Sequence, residues 1–116
     1  MSEDYEREKL GNAVAALAAS AAPIQKRLHY AWEAMHTLIG HGLSNSERAA
    51  EFNAINERLT ADKSDEIAGY VATTCAKLSD DEAAEIAQGI VDLNARLNLD
   101  RIWQLEDQLQ ALKQSR

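Results

Sequence analysis

Apolar residues in this chain recur at steps of three and four, the spacing that lays them along one face of an α-helix. The clearest run is Ile24, Leu28, Ala31, Met35 and Leu38, which predicts a helix over 24–39 with that row turned to the core. Leu10, Val14 and Leu17 mark an earlier helix, from about Asp4 to Ala21. Pro23 separates the two, because a proline has no amide hydrogen and is tolerated only in the first turn of a helix. The run "GHG" at 40–42 closes the second helix, glycine being the usual residue just past a helix C-terminus.

The pattern continues to the end of the chain. Ser44 and Glu47 have capping-box spacing, in which the serine oxygen accepts from an orphan amide and the glutamate reaches back. The helix after them carries Phe52, Ile55 and Leu59. A fourth helix is expected from Ala61 or Asp62, with Ile67, Val71, Thr74 and Leu78. A fifth opens at Ser79, with Glu82 three residues on, and carries Ala83, Ile86, Ile90, Leu93 and Leu97. A sixth is expected after Asp100, a good N-cap residue. It places Ile102, Leu105, Leu109 and Leu112 on one seam.

The fold expected from these elements is all-α: an irregular bundle of five or six short antiparallel helices in one domain, 1–116. Its core should contain Leu10, Val14, Leu17, Leu28, Met35, Leu38, Phe52, Ile55, Ile67, Val71, Ile86, Ile90 and Leu93. Composition agrees, with only five glycines and one proline in 116 residues. Much of the apolar content is alanine, which lets helices approach closely.

Residues 59–78 and 78–97 align without a gap. Both segments end in leucine at each side, and Asp62/Asp81, Glu66/Glu85, Ile67/Ile86, Ala68/Ala87 and Ala76/Ala95 are identical pairs. A helical repeat would produce this. Two capped amphipathic helices of equal length would produce it as well, and that is the simpler expectation.

Charge narrows the function classes. The net charge is −7 and it accumulates along the chain, as −1 over 1–40, −2 over 41–78 and −4 over 79–116. Such a surface repels phosphate backbones, so direct nucleic-acid binding is not expected. Cys75 is the only cysteine, so no disulfide can form within the chain, which suits a reducing compartment. The segment "MSEDYEREKL" is acidic where a secretory signal is basic and then apolar. The longest uncharged stretch, Leu10 to Gln25, is too short and too weakly apolar for a bilayer. A cytoplasmic protein without membrane contact is the expectation.

Candidate chemistry is sparse. His29, Glu33 and His36 fall at i, i+4 and i+7 on one stripe. Glu33-Ala-Met-His36 has the Glu-x-x-His spacing of di-iron bundles. A second such motif and further inward carboxylates are missing, and His41 lies beyond Gly40, off the stripe. A solvated edge with a Glu–His pair is therefore expected, with no metal or cofactor. No Gly-x-Ser-x-Gly, phosphate loop or His-Glu-x-x-His motif occurs, so no catalytic residues are assigned.

The last helix is the stronger lead. Ile102, Leu105, Leu109 and Leu112 form a two-heptad seam, with Trp103 one residue off it. The simplest expectation is that this helix closes the bundle, Trp103 covering the core's edge; contact with another chain is the alternative. Asp80, Asp81, Glu82 and Glu85 form a second candidate surface, an acidic face. The expected function is a non-catalytic protein-interaction module: an adaptor, regulator or inhibitor that binds another protein through one of these surfaces. The alternatives are a structural homo-oligomer, such as a homodimer, and a small metal-binding or catalytic bundle using His29, Glu33 and His36.

Overall fold

In the computed structural model, which describes residues 3–40 and 42–115, every regular element is helical. Helix α1 spans Glu3–Ala19 and α2 spans Ile24–Met35. The four residues between them fold α2 back along α1. Arg27 closes that turn: its Nε donates to the Ala22 carbonyl at 2.9 Å and its Nη1 to the Leu17 carbonyl at 2.8 Å. α1 has no basic residue in its own last turn, so Arg27 supplies the positive donors that its C-terminal carbonyls need.

The α-helical part of the second element ends at Met35. His36–Leu38 continue as one 3₁₀ turn, and Gly42, at φ +70°, donates back to the Leu38 carbonyl at 2.8 Å. His41 lies outside the described residues.

Helix α3 spans Ser46–Leu59, and Asn45 is its N-cap, accepting from the amides of Glu47 and Arg48. The capping box expected at Ser44 and Glu47 does not form. Ser44 is engaged elsewhere: its amide and its hydroxyl both donate to the carboxylate of Glu6, which is buried in α1 at 2 % exposure. A tertiary acceptor has displaced the local one.

The fourth helix starts eight or nine residues late. Residues 61–69 are irregular, and α4 spans only Tyr70–Lys77. The cause lies in the side chains. Asp62 takes the Ser64 amide at 3.0 Å, and Asp65 takes the amides of Ile67 and Ala68 at 3.1 and 3.0 Å. Short acidic side chains that satisfy nearby amides compete with helix formation. Gly69 then sits at φ +95°, which ends any helix coming from the left. Ile67, expected in the core, is fully exposed in this loop.

The fifth and sixth expected helices are one. Helix α5 runs unbroken through Asp80–Gln114, 35 residues and about 52 Å at 1.5 Å per residue. Its start matches expectation, with Ser79 and Glu82 forming a reciprocal capping box. Asp100 is not a cap. It lies inside α5, and its carboxylate holds Arg48 of α3. The twenty-residue similarity is matched only in its second half: 70–77 and the aligned 89–96 are both helical, while 61–69 is irregular and the aligned 80–88 helical.

All five helices contribute to one apolar core. Ala13, Ala31, Ala83 and Ala87 are buried there, the small contacts that let the helices approach. Of the expected core, only Ile67 is outside; Val14 packs against the edge. The molecule measures 60 × 27 × 18 Å, elongated because α5 outruns the bundle.

Candidate interaction surface

Along its first half α5 turns Ala83, Ile86, Ala87, Ile90, Leu93 and Leu97 to the bundle. The contact runs out near Gln104, where a groove separates Leu97, Asp100 and Gln104 from Glu3, Glu6 and Arg7 of α1. From Leu105 to Ser115 every residue is exposed. About ten residues, or roughly 15 Å of helix, thus project past the bundle.

The expected closing of the bundle by this segment does not occur. Ile102, Leu105, Leu109 and Leu112 are 51, 47, 53 and 64 % exposed, and Trp103 is exposed with them. The row has no partner among the described residues: Leu105, Leu109 and Leu112 stand beyond the last contact with the other helices, and Ile102 lies on a side of α5 turned away from them. Nothing in the local sequence between Ile90 and Gln114 interrupts the helix: there is no glycine or proline, and Asp100 finds a tertiary partner.

The acidic candidates stand at the opposite end of α5, roughly 35 Å away along its axis. Three of the four are engaged. Asp80 accepts from Gln25 Nε2 at 2.9 Å, Glu82 closes the capping box, and Glu85 pairs with Arg58 at 3.1 Å. The Ser79 amide holds the Glu82 carboxyl below its ordinary pKa. These side chains stabilise the start of α5, where negative charge also offsets the helix dipole. The two surfaces expected as alternatives are therefore spatially separate.

The histidine stripe has its own local geometry. His29 Nε2 lies 3.5 Å from Glu33 Oε1, and His36 Nδ1 lies 2.7 Å from the Glu33 carbonyl oxygen. Trp32 sits between the histidines, with the His36 ring stacked on it at 5.2 Å between centroids. Among the described residues, no group of three histidine, cysteine or acidic side chains is placed to hold a metal ion. Beside this stripe, His29, Trp32, Thr60, Gly69, Tyr70 and Val71 line a shallow cleft of about 300 Å³.

The sequence pointed to the seam through its periodicity. The engagement of Asp100, and with it the overhang, carried no local signal. No described helix is long and apolar enough to cross a membrane. No family model matches the chain, and neither a curated protein nor a solved structure is significantly similar to it.

Proposed function

We propose that this chain is a non-catalytic interaction protein, an adaptor, regulator or inhibitor working in the cytoplasm, whose contact surface is the C-terminal half of α5. One observation carries the reading: four large aliphatic residues stand exposed in a row, with Trp103 exposed off that row on the same segment, on a helix that projects past its own bundle. Contiguous exposed apolar surface on a soluble domain marks a binding site more often than an accident of folding. A helix that presents anchors at this spacing is suited to pair with another helix or to lie in a groove. The net charge of −7 argues against nucleic acid as the partner.

The test is affinity capture from lysate of the native host with the full chain and with an Ile102→Asp, Leu109→Asp variant. Both substituted positions are exposed, so circular dichroism should show the same helix content for each. A near-stoichiometric protein retained by the first and lost by the second supports the reading. A protein retained equally by both, and released by high salt, would move the contact to the acidic face at the start of α5. No retained protein at all would overturn binding to a separate partner.

A further inference from the structure

The exposed row is longer than the sequence pattern first indicates. Seven positions in strict alternation of four and three, namely Val91, Ala95, Asn98, Ile102, Leu105, Leu109 and Leu112, are all exposed on α5. In heptad terms Ala95, Ile102 and Leu109 are a positions, and Val91, Asn98, Leu105 and Leu112 are d positions. At 100° per residue this row lies about a quarter turn around the helix from the face that packs on the bundle. It runs beside the bundle and onto the overhang without passing beneath the other helices.

We infer that a second copy of this chain covers the row, and that the two α5 helices pair in parallel and in register as a short coiled coil. The inference rests on the reading of α5 as the contact surface, and names its occupant. Charge decides the orientation. In a parallel pair each g residue faces the e residue five positions on in the other helix. Arg101 is at g and Glu106 at e, so the twofold axis brings two opposite-charge pairs together. Neither side chain has an ion-pair partner among the described residues of its own chain. An antiparallel pair that overlaps the same apolar residues, Ile102 against Leu112 and Leu105 against Leu109, instead sets Glu106 against Glu106.

Two further features agree. Parallel pairing places Asn98 opposite its own copy at a d position, where the two side-chain amides can bond each other, a pairing that a slipped register loses. Shape also permits it. Because the row is a quarter turn from the bundle-facing side, a twofold axis along the helix pair puts the two bundles on opposite flanks. The apolar positions are few, so the pair falls at the small end of specific interfaces and dissociates on dilution.

Light scattering or sedimentation over roughly 1–500 µM reads the association, across the micromolar range in which a contact of this size is expected to form. The expected result is a mass rising from 12.8 kDa toward twice that value. The Ile102→Asp, Leu109→Asp variant should weaken association about a hundredfold, each tenfold being a modest free-energy step. Orientation is read by an Asn98→Cys, Cys75→Ala variant under mild oxidation. Parallel register holds the two new thiols at core d positions, close enough for an interchain disulfide. The antiparallel register separates them by roughly 27 Å, at 1.5 Å per residue, and forbids one. Glu106→Arg should loosen the pair, and adding Arg101→Glu should restore it.

A chain that stays monomeric at the top of the range overturns the inference, as does a dimer indifferent to the two aspartates. A dimer that does not cross-link through residue 98 overturns the parallel arrangement. Any of these failures leaves capture of a different protein through the same seam intact, so the two readings fail separately.

Discussion

Arg48 of α3 donates through Nε to Asp100 Oδ2 of α5 at 2.9 Å, and its second arm reaches Glu51 in its own helix. Arg96 of α5 in turn reaches Glu51 at 2.9 Å. Two cations and two carboxylates thus tie α3 to α5 just where α5 leaves the bundle. The Asp100 hydrogen bond raises the Arg48 pKa above its ordinary value, as expected for a paired guanidinium. A double-mutant cycle with Arg48→Met and Asp100→Asn should return a coupling of about 1 kcal/mol, the upper range for partly exposed pairs. A coupling indistinguishable from zero in urea unfolding would mean that the pair is incidental.

Glu6 performs a similar task at the other side of the same groove. Its carboxylate receives both donors of Ser44 and anchors the loop that leads into α3. Replacing it with alanine leaves a buried site without its acceptor and should cost about 1–2 kcal/mol. Glu6→Gln keeps one acceptor and should cost less. Equal losses for both would show that packing, and not the Ser44 bonds, makes the difference.

Two glycines should respond with opposite signs. Gly69 at φ +95° occupies backbone space closed to other residues, so Gly69→Ala should destabilise by about 1–3 kcal/mol. Gly89 is inside α5, and an added Cβ there meets Ile55 at 3.7 Å, an ordinary contact. Gly89→Ala should therefore stabilise by about 0.5–1 kcal/mol through helix propensity alone. Thermal melts of both variants check the pair of signs.

Cys75 is buried in α4, and burial pushes its thiol up to about 11 from an ordinary 9.0. At pH 8 that leaves roughly a hundredfold less thiolate than a free cysteine has, before access is counted. Ellman's reagent should react slowly with the native protein and at once in urea. Rapid reaction in the native state would contradict the packing of α4.

Asp62 accepts from Lys77 Nζ and from the Ser64 amide, and these bonds hold its carboxyl well below the ordinary carboxylate pKa. A depressed folded-state pKa contributes stability that is present above the unfolded pKa near 4 and lost as pH falls through the folded value. Lys77→Met removes the largest cause of the depression. It should bring the Asp62 titration seen by NMR up toward the ordinary range, and flatten the acid limb of the stability curve.

The chain's periodicity alone determines the helical class, most of the core, the capping box at Ser79 and the apolar row from Ile102 to Leu112. Each of these depends on residues within one or two turns of each other, so local spacing and side-chain type suffice. Four outcomes were decided only in three dimensions. Ser44 was drawn from its cap by Glu6, 38 residues away. Residues 61–69 stayed out of the helix, where Thr74 and Lys77 of α4, 12 and 15 residues away, hold the amide and the carboxylate of Asp62, and Ile67 is left in solvent. Asp100, a good helix start by type, became an interior residue because Arg48 satisfied its carboxylate. The fourth concerns the apolar row, whose sequence shows that one side of a helix is apolar but not whether anything covers it. That depends on how far the neighbouring helices reach, and here all of them stop short of the last three turns of α5.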